Sequence, residues 1–413
     1  MRRRYLSFFV LAFLMLLVSP CLMLHAQNAD PDAETLLAAQ VDSVRRILGL
    51  DKRTSIFEVR LSRSVPKGAL EGKSSVDEAV GLLLERMREK GFSLKDDVVR
   101  LPQASSLDGK VYGLVTVSVA NIRSMGDFSS EMVTQALMGT PVRILEKDSW
   151  LRIQTPDGYI GWVHSSSITP FDAAGMNDWM SSRQVVFTDR MGYLFSRSSE
   201  DSATIGDMVA GCRMRLLESG RRMVKVALPD GRQGYVKASQ VSDLESWRRG
   251  IKSHPSAVVA TARTLMGFPY LWAGMSTKGM DCSGFVRTVL YMHDIIIPRD
   301  ASQMCLKGER FLIEDDLSNL LKGDLLFFGR KGQNGAPDRV SHVGIYTEKG
   351  CFIHSLGYVQ EVSLVPGDPR YDAYNHSRLL FACRILEYVN VEEGLETTDR
   401  NPMYQARYED PKH

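Results

Sequence analysis

Apolar and polar positions follow different periods along this chain, and the changes of period divide it. An apolar run, interrupted by Ser7, fills residues 5–18. Apolar residues recur at helical spacing over 34–50 and again over 75–90, where Ser75 is a candidate N-cap and Gly91 a stop. Segments 55–61 and 97–101 read as strands, so residues 27–101 form a small α/β unit. No chemistry is legible in it, and packing or spacing is its expected role. From about residue 253 the pattern shifts. Residues 255–266 are helical, 267–274 form a loop with aromatics, and 282–293 carry Phe285, Val286, Val289 and Leu290 at helical spacing. Strands follow at 324–328, 341–347, 351–355 and 379–386, and a helix ahead of an antiparallel sheet is an α+β layout. Beyond Val391 the chain turns acidic and polar, and the tail at 391–413 is expected to fray.

Between these units lies an internal repeat. Pro156-Asp157-Gly158-Tyr159-Ile160-Gly161-Trp162-Val163 recurs as Pro229-Asp230-Gly231-Arg232-Gln233-Gly234-Tyr235-Val236, and the segment from Gly139 to Glu146 recurs from Gly211 to Glu218. Each copy is a run of short strands broken by an Asp-Gly turn, the pattern of a small β-barrel. Both copies resemble bacterial SH3-type domains, which puts barrels at 111–170 and 184–244. Such barrels bind peptides or cell wall, or position a catalytic domain. Shared positions (the Asp-Gly turn, Gly161 with Gly234, Trp162 with Tyr235) are expected to be barrel structure. Positions that differ are where one copy can hold a specific task. Tyr159 aligns with Arg232, and Glu131 aligns with Ala203.

Composition narrows the classes. The 413 residues carry 51 Lys and Arg against 49 Asp and Glu, so bulk charge gives no support to nucleic-acid binding. A chain this long needs two to four domains. Arg2, Arg3 and Arg4 precede the apolar run, and Leu24-His25-Ala26 offers a cleavage site before Gln27. The run is short for a membrane helix, which needs about 20 residues, so 1–26 reads as an export signal. Removal of that signal leaves no stable membrane span, and the product is expected in the periplasm or outside the cell. A lipoprotein anchored through Cys21 is disfavoured by Pro20 before it. The remaining cysteines, Cys212, Cys282, Cys305, Cys351 and Cys383, are odd in number, so at least one thiol has no partner within the chain.

Cys282 has a reason to be free. Met280-Asp281-Cys282-Ser283-Gly284-Phe285 sets it in the first turn of a helix, where the helix dipole favours a thiolate. His342 and His354 flank a hairpin whose turn includes Glu348, Lys349 and Gly350, and their even separation puts both on one sheet face. A hairpin symmetric about Glu348 would make them direct cross-strand neighbours. A thiol on a helix start, a base on a strand and a polar orienter beside it form a papain-like arrangement. The rival is zinc held by Cys and two His; no fourth ligand stands at characteristic spacing, so no metal or other cofactor is expected.

Here the residues match a family. Asp281-Cys282-Ser283-Gly284-Phe285, Gly323-Asp324-Leu325-Leu326-Phe327-Phe328, Ser341-His342-Val343-Gly344-Ile345-Tyr346 and Ile353-His354 resemble the motif series of the NlpC-type cell-wall cysteine peptidases. Tyr270-Leu271-Trp272-Ala273-Gly274 and Pro298-Arg299-Asp300-Ala301-Ser302-Gln303 match their flanking segments, and the peptidase part covers 253–388. With two SH3-type barrels ahead, the similarity is to γ-D-glutamyl-L-diamino acid peptidases. The resemblance implies Cys282 as nucleophile, His342 as base, His354 as its orienter and Tyr270 at the oxyanion site. It implies Asp281 and Ser283 as holders of the substrate's α-ammonium, with Glu131 and Tyr159 closing the pocket from the first barrel and Asp300 as a further candidate. The expected partners are murein peptides with a free N-terminal L-Ala. The other readings are a non-catalytic wall-binding protein, which the joint presence of Cys282, His342 and His354 opposes, and a thiol acyltransferase.

Overall fold

The computed structural model describes residues 31–62, 68–251 and 254–410. The expected export signal lies outside the described residues.

The N-terminal unit packs helices Pro31–Ile47 and Asp77–Glu89 on a three-stranded sheet of Phe57–Leu61, Ala69–Ser74 and Lys95–Arg100. Leu37, Val41 and Val44 of the first helix share a core with Ala79, Val80, Leu83 and Met87 of the second. The middle strand has no apolar alternation. It carries Gly72 at φ 132°, where a Cβ would lie 2.0 Å from the Glu58 carbonyl oxygen. Ser75 does not cap the second helix. Val76 stands at the N-cap, and the Ser75 hydroxyl accepts the Ile56 N–H at 2.9 Å.

Two seven-stranded sheets follow. In space, the first runs Ile168–Phe171, Tyr112–Val115, Pro141–Lys147, Trp150–Gln154, Ile160–His164, Val119–Arg123, Met132–Leu137. The second runs Val241–Asp243, Gln184–Phe187, Arg213–Glu218, Met223–Ala227, Gln233–Lys237, Met191–Phe195, Thr204–Val209. Strand for strand, the two orders correspond. Each has its own apolar interior: Val115, Ile122, Val142, Ile153 and Val163 in one, Phe187, Leu194, Met214, Val226 and Val236 in the other. Leu137 and Met138 of the first β-domain extend the core of the second, which locks the pair together.

The C-terminal domain sets helices Pro255–Thr264 and Cys282–Tyr291 against an antiparallel six-stranded sheet. Its order is Glu309–Phe311, Leu379–Arg384, Leu325–Arg330, Arg339–Tyr346, Cys351–Leu356, Tyr358–Ser363. Phe285, Val286, Val289 and Leu290 form one stripe of the second helix and bury against Phe327, Val343, Ile345, Ile353 and Phe381. Such a stripe is what fixes the helix on the sheet, since each buried side chain contributes roughly 1.5–3 kcal/mol.

The polar tail does not fray over its described length. Glu396–Thr397 pairs with Ile295–Ile296, and Leu395 is fully buried. The Tyr404 ring lies under the Arg213 guanidinium at 4.6 Å, and Tyr408 meets Tyr112 edge-on at 4.7 Å. Single aromatics spaced along a polar stretch strap the C-terminal domain to both β-domains, a pattern that periodicity does not reveal.

Candidate active site

Asp281 caps the Cys282 helix: its Oδ1 accepts the Gly284 N–H at 2.6 Å, and Cys282 is the first helical residue. Gly284 has to be glycine, because a Cβ would lie 1.9 Å from the Gly274 carbonyl oxygen. The loop 269–274 thereby closes over the helix start, with Asp281 N–H donating to Gly274 O at 3.1 Å.

A cleft of about 510 Å³ opens over the thiol. Tyr270, Cys282, Ser283, Asp300 and His342 line it from the C-terminal domain, and Glu131, Met132, Val133 and Tyr159 line it from the first β-domain. Asp281 lines it as well. His354 stands behind, fully buried, with its Nδ1 2.8 Å from His342 Nε2. This leaves the other nitrogen of His342 for the cleft. The thiol faces the Val343 N–H, one residue on from His342.

The two histidines meet diagonally, not face to face. Ile345 pairs with Ile353 and Tyr346 with Phe352, a register centred on Lys349 instead of Glu348. Lys349 and Gly350 both take positive φ in the turn, which moves the centre by one residue. Gly344 makes room for the strand that carries His354: a Cβ there would lie 2.8 Å from Phe352 Cδ2 and 3.3 Å from the His354 Cβ.

Burial and the Asp281 carboxylate push the Cys282 thiol up to about 11, the opposite direction to the lowering expected of a helix start. Burial, with His354 and Arg378 nearby, holds His342 well below 6.5. Burial likewise lowers His354 to about 4. Both shifts favour the uncharged forms, a thiol and a neutral imidazole. Burial and the adjacent thiol raise Tyr270 to about 12, and burial and Asp300 push Tyr159 up, so both phenols keep their protons.

The acids differ sharply in what they already hold. Asp281 has both oxygens committed, to the buried Arg299 at 2.7 and 3.2 Å, to Ala273 N–H at 3.0 Å and to Gly284 N–H. Ser283 Oγ accepts from the same guanidinium at 2.7 Å. Asp300 pairs with Arg53 at 2.8 Å. Glu131 accepts only the Trp272 Nε1–H, at 3.0 Å, and no cation pairs with it among the described residues.

Several residues here escaped sequence reasoning. Arg299 and Trp272 stood inside quoted motifs with no role attached; their neighbours Asp281 and Glu131 give them one. Arg53 comes from the N-terminal unit, whose Asp51 also receives Gln303 Nε2 at 3.0 Å. That unit is thus part of the wall behind Asp300 and Ser302. Tyr374 and Asn375 of the short helix Ala373–His376 line the cleft as well, with Arg378 in the link to the Leu379–Arg384 strand. Among the described residues no group of three or more His, Cys, Asp or Glu could hold a metal ion.

Comparison with known proteins agrees with this geometry. Residues 267–379 match the NlpC/P60 family and residues 122–168 match the bacterial dipeptidyl-peptidase SH3 domain. The chain is a multidomain cysteine peptidase with an NlpC/P60 catalytic domain behind an SH3-like one. It is 28% identical to a gamma-D-glutamyl-L-lysine dipeptidyl-peptidase of Bacillus cereus, over 58% of this chain and 71% of that one. To dipeptidyl-peptidase 6 of Lysinibacillus sphaericus it is also 28% identical, over 63% and 93% of the two chains. A crystal structure of an NlpC/P60 protein from Bacillus cereus shares the fold, with a TM-score of 0.55 at 24% identity over 67% of this chain and 99% of that one.

Proposed function

We propose that this peptidase is exported and hydrolyses the γ-D-Glu–diamino acid bond of murein peptides whose N-terminal L-Ala carries a free amine. The observation that carries the reading is Glu131: a carboxylate from another domain, inside the cleft, with no cation of its own among the described residues. An ammonium entering a cleft needs such a counter-charge, because desolvating it alone costs several kcal/mol. Asp281 is spent on Arg299 and the helix cap, so its part is to hold Ser283 and the helix start in place. Asp300, tied to Arg53, adds partial negative charge beside Tyr159. The names of the two relatives, a gamma-D-glutamyl-L-lysine dipeptidyl-peptidase and dipeptidyl-peptidase 6, support the same substrate class.

In this mechanism the Cys282 Sγ attacks the γ-carbonyl of D-Glu while its proton passes to His342. The oxyanion is met by the Cys282 N–H and the Tyr270 hydroxyl, which burial keeps protonated. His342, oriented by His354, then gives its proton to the leaving amine, and the C–N bond breaks to leave a thioester. Water, deprotonated by His342, releases the L-Ala-γ-D-Glu dipeptide and restores the thiol. Mass spectrometry of the products from defined murein peptides tests this, with an added amine acceptor to detect acyl transfer. Release of L-Ala-γ-D-Glu and free diamino acid is expected; amide products in place of hydrolysis would assign a transferase instead.

A further inference from the structure

The mechanism uses one side of the cleft and leaves a charge unexplained on the other. Arg378 lines the same cleft, beside His342, and its positive charge disfavours protonation of both histidines. A cation in that position works against the base, so its presence needs another purpose. Its Nη1 donates to the Tyr374 hydroxyl at 2.5 Å and its Nη2 to Ser341 Oγ at 3.4 Å, while its guanidinium sits 4.8 Å from the Tyr374 ring centre. No carboxylate pairs with it among the described residues, and its Nε is buried with no partner. Asn375, wholly buried and also lining the cleft, leaves its Oδ1 without a partner. The result is a guanidinium held in a fixed plane by two hydroxyls and presented to the cleft with its charge uncompensated.

The side of the cleft follows from proton transfer. The imidazole that protonates the leaving nitrogen has to face it, so Ser341 and Arg378, next to His342, border the leaving group and not the acyl group. We propose that Arg378, with the Tyr374 and Ser341 hydroxyls, forms a carboxylate subsite for the residue that follows the scissile bond. Guanidinium and carboxylate match in shape as well as charge, which a lysine would not reproduce. This rests on the reading of the cleft as a γ-D-Glu endopeptidase site, and it adds that the leaving diamino acid is recognised by an anion. That anion is either its C-terminal α-carboxylate or a carboxylate on its side chain.

Three peptides separate the cases: L-Ala-γ-D-Glu-L-Lys with a free C-terminus, its C-terminal amide, and L-Ala-γ-D-Glu-diaminopimelate amidated at its α-carboxyl. Wild-type kcat/KM should favour a peptide that presents the recognised carboxylate over the lysine amide, which presents none, by at least about tenfold, the size of one charge-assisted hydrogen-bonded contact. Recovery of that preference by the amidated diaminopimelate peptide assigns the side-chain carboxylate; its failure to recover assigns the C-terminal one. Arg378→Gln should bring that preference over the lysine amide to about one, and Arg378→Lys should retain part of it, which a folding defect would not do. Equal wild-type rates on all three peptides, or a preference unchanged in Arg378→Gln, would overturn the subsite and leave the endopeptidase reading standing. Cleavage of none of the three would overturn both.

Discussion

The two β-domains share one strand order and differ in what they touch. In the first, the residue before the Met132–Leu137 strand is Glu131, which enters the cleft and accepts Trp272 Nε1–H. Its aligned residue in the second is Ala203, exposed and away from the cleft. Tyr159, after the first Asp-Gly turn, lines the cleft; Arg232, after the second, donates to Thr116 O at 3.2 Å and so fastens the second β-domain to the first. One duplicated scaffold thus serves two ends. The strands supply a frame in both copies, and the residues beside the strands decide whether that frame lines the cleft or braces its neighbour.

The largest effect expected lies outside both β-domains and calibrates the rest. Cys282→Ala should abolish hydrolysis with the unfolding midpoint little changed, because only the reacting atom is lost. The rate of Cys282 alkylation by iodoacetamide should keep climbing with pH toward about 11. A rate already level at neutral pH would mean a preformed thiolate–imidazolium pair. His342 stays unprotonated well below 6.5, so the acid limb of kcat/KM should lie below that value. His354 titrates near 4 when folded and near 6.5 when unfolded; its contribution to stability is complete above 6.5 and is lost as pH falls toward 4.

Next comes Glu131→Gln, which keeps the Trp272 contact and removes the charge. It should lower kcat/KM for the free-amine peptide by roughly 10–100-fold, the range for a charged hydrogen bond lost from a partly exposed site. Kinetics on the same peptide should show only a few-fold loss for Tyr159→Phe. In the second β-domain, Ala203→Glu restores the same carboxylate at the aligned position and should leave kcat/KM unchanged. Arg232→Ala should cost about 1 kcal/mol of stability, read as a lower unfolding midpoint, with kcat/KM intact. Loss of activity from either change would end the division of labour between the two copies.

How much of this could be read from sequence depended on distance along the chain. The Cys282 helix and the strand bearing His342 were legible because each is local: an apolar stripe in one and the even spacing of the two histidines in the other. The duplication was legible because one copy indexes the other, and it pointed to Glu131 and Tyr159 by their mismatch. The diagonal meeting of His342 and His354 was not, since it turns on where the hairpin bends. The N-terminal unit showed no chemistry because its contributions, Arg53 on Asp300 and Asp51 on Gln303, join residues 247 and 252 positions apart. Arg299 was visible as a letter in a motif, but its pairing with Asp281, on which the proposal of Glu131 as the counter-charge rests, needed the third dimension. The tail looked frayed because its anchors, Tyr404 and Tyr408, have no period.

The central claim is that the first β-domain makes this cleft a reader of free amines. Its most direct measurement compares wild-type kcat/KM on L-Ala-γ-D-Glu-diamino acid with that on the N-acetylated peptide, which has the same scissile bond and no cation. The account predicts a preference of about 100-fold or more for the free amine, narrowed by Glu131→Gln. Equal rates on the two peptides would contradict it, and would mean that the β-domain walls the cleft without selecting what enters.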